Sequence, residues 1–138
     1  MTATVLRPMQ AEDHASLMEL WRASEGVILR ESDTPDAMAR FLARNLDTSW
    51  VALHDNAMVG SIMAGQDGWR GYLYHVAVHP DWRRQGIGTQ LVEKAVAAIQ
   101  SRGIPRIHCL VKHDNADAQA FWLKHGFTRR DDVVDFAL

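Results

Sequence analysis

Residues 76–92 read VAVHPDWRRQGIGTQLV, an apolar run that turns at His79-Pro80, crosses two arginines and two closely spaced glycines, and enters a helical pattern. The preceding GYLYHVAVH (71–79) is rich in aromatic and β-branched residues, as a strand favours. A helix is expected over roughly 88–101, with Leu91, Val92, Ala95, Val96 and Ile99 on its apolar face. Gly103 is placed to end it, and RIHCLV (106–111) reads as the next strand. Strand, helix and strand in that order form a βαβ unit, whose two strands should be parallel neighbours joined by a right-handed crossover.

The flanking sequence places this unit in a larger α/β order. TVLRPM reads as a first strand, and EDHASLMELWRAS puts Leu17, Leu20 and Trp21 on one helical stripe. EGVILRESD is a loop. Thr34 is a cap candidate with Pro35 behind it, which starts a second helix. SWVALHD and AMVGSIMAG are strands joined at Asp55-Asn56, and QDGW is a second hairpin turn. NADAQAFWLKHG is a short helix stopped by Gly126, and FTRRDDVVDFAL should supply the last strand or strands. The expected order is β-α-α-β-β-β-α-β-α-β, with a mixed, largely antiparallel sheet. At 138 residues one domain over 1–138 is expected.

Bulk properties exclude some functions. A net charge of −2 and a pI near 6.4 argue against general nucleic-acid binding, which needs a basic face. Cys109 is the only cysteine, so no intrachain disulfide forms and a reducing cytoplasm fits. No apolar run approaches the roughly 20 residues of a membrane span, so neither membrane nor nucleic acid is an expected partner.

Two glycines at a strand-to-helix junction suggest an anion site. Glycine permits positive φ and close approach of a ligand. The first turn of a helix has amides without internal partners, and its dipole favours negative charge. Arg83 and Arg84 add donors. From RRQGIG alone, a loop whose glycines merely allow the turn remains an alternative. Two other phosphate loops do not match: Gly88 directly precedes Thr89, unlike the Gly-Lys of a Walker A loop, and the third glycine of a dinucleotide fingerprint is Leu91 here.

RRQGIG, with Arg83, Gly86 and Gly88, resembles the Q/R-x-x-G-x-G/A motif of the GNAT superfamily of N-acetyltransferases. NADAQAFWLKHGF (115–127) resembles the family's N-x-x-A-x-x-F-Y-x-K-x-G-F segment through Asn115, Ala118, Phe121, Lys124, Gly126 and Phe127. Both motifs stand in the right order, and the resemblance covers nearly the whole chain. It implies that acetyl-CoA, as co-substrate and without a metal, binds where the fourth and fifth strands splay. The amides of Gln85, Gly86, Ile87, Gly88 and Thr89 would hold the pyrophosphate, with Arg83 or Arg84 near the nucleotide phosphates. The backbone of Val76, Ala77 and Val78 would pair with the pantetheine arm as an added strand would. An amide near Val78 would face the developing oxyanion. Asn115 would contact the pantetheine side, and Phe121 would pack nearby. Asn115 also suits a helix cap, and Phe121 and Phe127 also suit the core. Many relatives pair through late strands, so a homodimer is among the assemblies implied.

The implied reaction is direct attack of a small-molecule or peptide amine on the thioester. Deprotonating a lysine-like amine at pH 7 costs about 4–5 kcal/mol, so a base must be in reach. The chain departs from the family at Trp122, where a tyrosine commonly serves as general acid. Indole has no useful acidity, so Trp122 is read as packing against the cofactor or as an apolar wall. The positions where relatives place a glutamate base fall on Tyr72 and Leu110. Tyr72 and His75 are therefore the catalytic candidates. Alternation puts Tyr72 and Tyr74 on one face and His75 on the other unless a bulge intervenes. Glu31 and Asp33, in the loop beside the expected acceptor region, are candidates for recognising a cationic amine; solvated loop charges are the alternative. Trp122 and the missing carboxylate base also fit a second function, a catalytically reduced acyl-CoA-binding regulatory module. His75 and His79 stand four apart but in a strand and the turn after it rather than on a helix, and Cys109 is isolated, so no metal site is expected.

Overall fold

Residues 3–138 are described by a computed structural model. The strands are β1 (Val5–Pro8), β2 (Trp50–His54), β3 (Ala57–Gln66), β4 (Gly71–Val78) and β5 (Ile107–Cys109), and the helices are α1 (His14–Arg22), α2 (Pro35–Arg44), α3 (Ile87–Gln100) and α4 (Ala116–Lys124). Short 3-10 turns lie at Ala11–Asp13, Glu31–Asp33 and Pro80–Trp82. The sheet order is β1-β2-β3-β4-β5, antiparallel up to β4, with β5 parallel to β4. The βαβ crossover is thus formed as expected.

Local chemistry sets the element ends. Asp55 and Asn56 take φ of 49° and 64°, the left-handed pair that a two-residue hairpin requires. The β3–β4 turn has Gly68 at φ +91°, and the Asp67 carboxylate accepts from the amides of Trp69 and Arg70. Thr34 Oγ1 accepts from the Ala37 amide at 3.2 Å with Pro35 at the first helical position, so α2 begins where the cap signal puts it. At the entry to α1, Asp13 accepts from both Arg7 guanidinium nitrogens and the Gln10 amide, each at 2.8 Å.

Two apolar layers cover the sheet. On one face α3 buries Leu91, Ala95 and Ile99 against Ile62 and Leu73. On the other, Leu17 and Trp21 of α1 and Met38 of α2 meet Val51 and Ala77. Each large apolar side chain buried this way contributes about 1.5–3 kcal/mol. Leu91→Ala would open a cavity under the crossover helix and cost roughly 2–5 kcal/mol.

Two expectations are corrected. The fifth strand is three residues long rather than six, and Leu110 is 69% exposed. No last strand forms: residues 128–138 carry neither helix nor strand. These residues alternate apolar side chains at Val134, Phe136 and Leu138, but that face is left unburied, so nothing holds a strand register. Their charges are satisfied locally, with Arg129 on Asp131 and Arg130 on Asp132 at 2.8 Å, while Val134 and Phe136 are exposed.

Candidate active site

β4 outruns its parallel neighbour. The β4–β5 ladder pairs Gly71, Leu73 and the residue between with Ile107–Cys109 and then ends, whereas β4 continues to Val78, paired to β3 alone. One edge of residues 74–78 is therefore open. The His79 amide donates to the Val59 carbonyl of β3 at 2.8 Å. Alternation then turns the amide and carbonyl of Val78 to the open edge, and that carbonyl meets Arg83 Nε at 3.4 Å. Such an edge offers main-chain hydrogen bonds to an extended ligand.

The open edge leads directly to the mouth of α3. Gly86 is the residue before the helix, at φ +79°, with no side chain capping the first turn. The first-turn amides of Ile87, Gly88 and Thr89 therefore lack intrahelical partners. A Cβ at Gly86 would meet nothing within 4 Å, so the protein itself leaves this space open. Gly88 does different work: a Cβ there would lie 3.3 Å from the Phe121 ring and 3.7 Å from Val78, so its absence lets α4 close onto the loop. Arg83, Arg84 and Gln85 are exposed at the rim, with Arg84 at φ +63°.

α4 forms the far wall. Asn115 is its cap, with Oδ1 accepting from the Ala118 amide at 3.0 Å. Phe121 stacks edge-on with Trp122, and Trp122 packs against Phe127 inside the α3-side core. Trp122 is buried, so its position is that of a wall under the cleft.

A bulge shapes the vertex of the splay. Tyr74 pairs with Met63 and Ala77 with Ser61, so His75 and Val76 together oppose Ile62. The bulge overturns simple alternation. Tyr74 meets Phe41 of α2 and His75 meets Trp21 of α1, so both now look toward the same pair of helices. His75 sits at φ +48°, a strained value for a non-glycine residue. Its ring Nε2 lies 2.7 Å from Asp33 Oδ1. Asp33 is thus not a freely available carboxylate: its side chain is 10% exposed, and Oδ2 accepts from the Arg30 amide at 2.7 Å. Glu31 is exposed. Tyr72 stacks between Tyr74 and His108, at 6.1 and 5.6 Å. Burial, then the neighbouring Tyr72 and Asp67, push the Tyr74 phenol above its ordinary value, so it stays protonated at neutral pH. Burial pushes the Cys109 thiol up to about 11, which makes it a poor nucleophile. Among the described residues no three His, Cys, Asp or Glu side chains gather as a metal site, and no helix is long and apolar enough to cross a membrane.

Sequence reasoning missed three contacts. His125 Nε2 lies 2.8 Å from Thr89 Oγ1, which ties the end of α4 to the first turn of α3. Trp82 packs on His54 with ring centroids 4.4 Å apart. Gly26, in the loop after α1, comes against Asn115. Only the last has a sequence signal, a glycine in a loop opposite the helix-cap motif.

Comparison with known proteins agrees with this geometry. The acetyltransferase (GNAT) family model matches residues 14–127. An acetyltransferase of Pectobacterium atrosepticum is 34% identical over 111 residues, covering 80% of this chain and 77% of that protein. One from Sodalis glossinidius is 32% identical over 130 residues, covering 94% and 90%. Among solved structures, the PaiA N-acetyltransferase of Thermoplasma acidophilum in complex with coenzyme A superposes with a TM-score of 0.81 at 20% identity, covering 94% of this chain and 92% of that one. The diaminobutyrate acetyltransferase of Paenibacillus lautus, in complex with L-2,4-diaminobutyric acid and coenzyme A, gives 0.76 at 25% identity, covering 91% and 75%.

Proposed function

The chain belongs to the GNAT family and is an acetyl-CoA-dependent acetyltransferase; from that premise we propose that it acetylates a primary amine of a small molecule or peptide by direct attack in a ternary complex. One observation supports this above the others: the open edge of β4 ends beside the uncapped first turn of α3, where a Cβ on Gly88 would lie 3.7 Å from Val78. Gln85 to Thr89 would hold the pyrophosphate through their amides, with Arg83 and Arg84 beside it. Val76, Ala77 and Val78 would pair with the pantetheine arm, and Asn115, Phe121 and Trp122 would line the opposite wall. The co-substrate supplies an activated acetyl thioester. The Val78 amide, turned to the open edge, would stabilise charge developing on the thioester oxygen.

The chain's own task is then to hold the amine and remove its proton. Tyr72 and His75 are assigned to that proton, and Glu31 to attraction of the cationic amine. No tyrosine stands at the usual acid position, so the leaving thiolate takes its proton from water or from Tyr74, which remains a phenol. A lone unpaired cysteine supports a reducing, cytoplasmic setting.

Calorimetry with acetyl-CoA tests the cofactor site. Micromolar binding by the wild type that Gly86→Glu abolishes supports it, and thiol release against an amine panel then identifies the acceptor. A folded wild type without CoA binding sinks the reading. A second reading, an acyl-CoA-binding regulatory module, is favoured by the buried indole of Trp122. It would bind CoA yet release no thiol with any amine.

A further inference from the structure

We infer that Asp33 is a positioning residue for His75: it holds the ring with its proton on Nε2, so that Nδ1 is the nitrogen that accepts the proton of the acceptor amine. This rests on the acetyl-transfer reading above and changes the role of Asp33 from acceptor ligand to partner of the base.

Both ends of His75 are fixed. As a carboxylate, Asp33 can only accept, so at 2.7 Å the His75 Nε2 must donate. Nδ1 is then the basic nitrogen of the neutral ring, and it makes no hydrogen bond to any described residue. Asp33 is held in turn. Its Oδ2 accepts from the Arg30 amide, and its carbonyl accepts from His14 Nε2 of α1 at 2.7 Å. On the strand side, Trp21 Nε1 donates to Ser61 Oγ and Ser61 donates to the His75 carbonyl, both at 2.9 Å. The Trp21 ring meets the imidazole edge-on at 4.6 Å.

This network explains why His75 persists at φ +48°. A non-glycine residue there costs on the order of 1–3 kcal/mol and survives only where surrounding contacts enforce it. The site lies on the bulge, just past the last β4–β5 pair, where the cleft begins. The ring is 18% exposed, which leaves it accessible from one side.

Two elements meet the ring. Asp33 from the 3-10 turn is the charged group on it and Trp21 from α1 does not titrate; Ser61 of β3 meets only the His75 backbone carbonyl, and Tyr74 precedes His75 on β4 as a phenol. His14 hydrogen-bonds the Asp33 carbonyl rather than its carboxylate. In the reaction an incoming ammonium gives one proton to Nδ1, and Asp33 stabilises the imidazolium. The C–N bond forms as the C–S bond breaks. The nitrogen loses its second proton, the thiolate gains one, and one proton leaves to solvent.

The test compares wild type, Asp33→Asn, Asp33→Glu and His75→Gln, using acetyl-CoA calorimetry, melting temperature and the pH dependence of kcat/KM. Long-range 1H–15N NMR of the wild type reads the tautomer without any variant. Expected are an Nε2-protonated ring in the neutral wild type, and CoA affinity within about threefold for every variant. His75→Gln should lose roughly 10²–10⁴-fold in kcat together with the acidic limb of the profile. Asp33→Asn should lose roughly ten- to a hundredfold in kcat at an unchanged acceptor KM, because an amide can present its NH2 to the ring and no longer fixes the proton on Nε2. Asp33→Glu should recover part of the rate, and the Asp33→Asn, His75→Gln double variant should be no slower than His75→Gln. A raised acceptor KM at unchanged kcat in Asp33→Asn, a lowered melting temperature with unchanged kcat, or an Nδ1-protonated ring would each overturn the proposal alone. A wild type that neither binds CoA nor releases thiol would overturn the acetyl-transfer reading, and this proposal with it.

Discussion

Thr89 and His125 join α3 to α4, the two helices of the proposed cofactor cleft. His125 Nδ1 lies 2.7 Å from the Phe121 carbonyl, which can only accept, so Nδ1 carries the proton. Nε2 of the neutral ring then accepts the Thr89 hydroxyl at 2.8 Å. The His125 ring also stacks on Phe121 at 4.2 Å, and Phe121 lies against Gly88. A net hydrogen bond contributes about 0.5–1.5 kcal/mol, which corresponds to roughly two- to tenfold in affinity if it orders the loop. His125→Ala and Thr89→Val should each weaken CoA binding by that factor, and the double variant should be no worse than the weaker single one. Calorimetry on the three proteins checks this; additive losses would mean that the two side chains act separately.

Gly26 and Asn115 couple the loop after α1 to the cap of α4. At φ +90° a Cβ on Gly26 would sit 2.7 Å from Asn115 Nδ2. Gly26→Ala therefore adds left-handed strain of roughly 1–2 kcal/mol and displaces the Asn115 amide. Asn115→Ala loses the cap instead, at about 1 kcal/mol. Both variants should raise the KM for acetyl-CoA, and Gly26→Ala should have little further effect once Asn115 is alanine. Steady-state kinetics on the double-mutant cycle gives the coupling.

What was readable in the sequence were features with local causes. Thr34-Pro35, Asp55-Asn56 and the Gly86 to Gly88 loop each set their own backbone, so their elements stand where expected. The His75–Asp33 pair spans 42 positions and depends on a bulge opposite Ile62, which no periodicity records. The sequence points to both residues but for separate tasks, Asp33 for the acceptor amine and His75 for its proton. The absent last strand reflects the opposite failure. FTRRDDVVDFAL alternates Val134, Phe136 and Leu138 as a strand would, yet those side chains stay exposed and the Arg–Asp pairs are satisfied two residues away. The wall role of Trp122 follows from Phe127 and Phe121 closing around it, a matter of packing rather than of motif.

The two loop glycines should fail in different ways. Gly86→Ala meets no atom within 4 Å and costs roughly 1–2 kcal/mol of backbone strain, so the protein should fold. Its methyl group would occupy space at the anion site, and CoA affinity should fall at least about tenfold. Gly88→Val pushes against Phe121 and Val78, so its melting temperature should fall further than that of Gly86→Ala. Thermal melts with and without CoA separate the two effects. Equal melting temperatures in the absence of CoA would show that Phe121 yields freely.

Stability at acid pH should depend on Asp13. Burial alone would raise its carboxyl, but the hydrogen bonds from Arg7 and the Gln10 amide, with the Arg7 charge, outweigh it and hold the group below its ordinary value. A carboxyl depressed in the folded state stabilises the protein above its unfolded value, near about 3.9, and that contribution is lost as pH falls through the folded value. Asp13→Asn should therefore destabilise the protein at pH 7 by about 1.5–3 kcal/mol, the range for a hydrogen bond to a charged group, and unpin the start of α1. The gap to the wild type should narrow as pH drops below about 4, where the unfolded carboxyl protonates, and close once pH has passed the lower folded value. Urea unfolding of both proteins at pH 7, 5 and 3 measures it. A gap that stays constant across that range would place the effect in packing around α1 rather than in the Arg7–Asp13 charge pair.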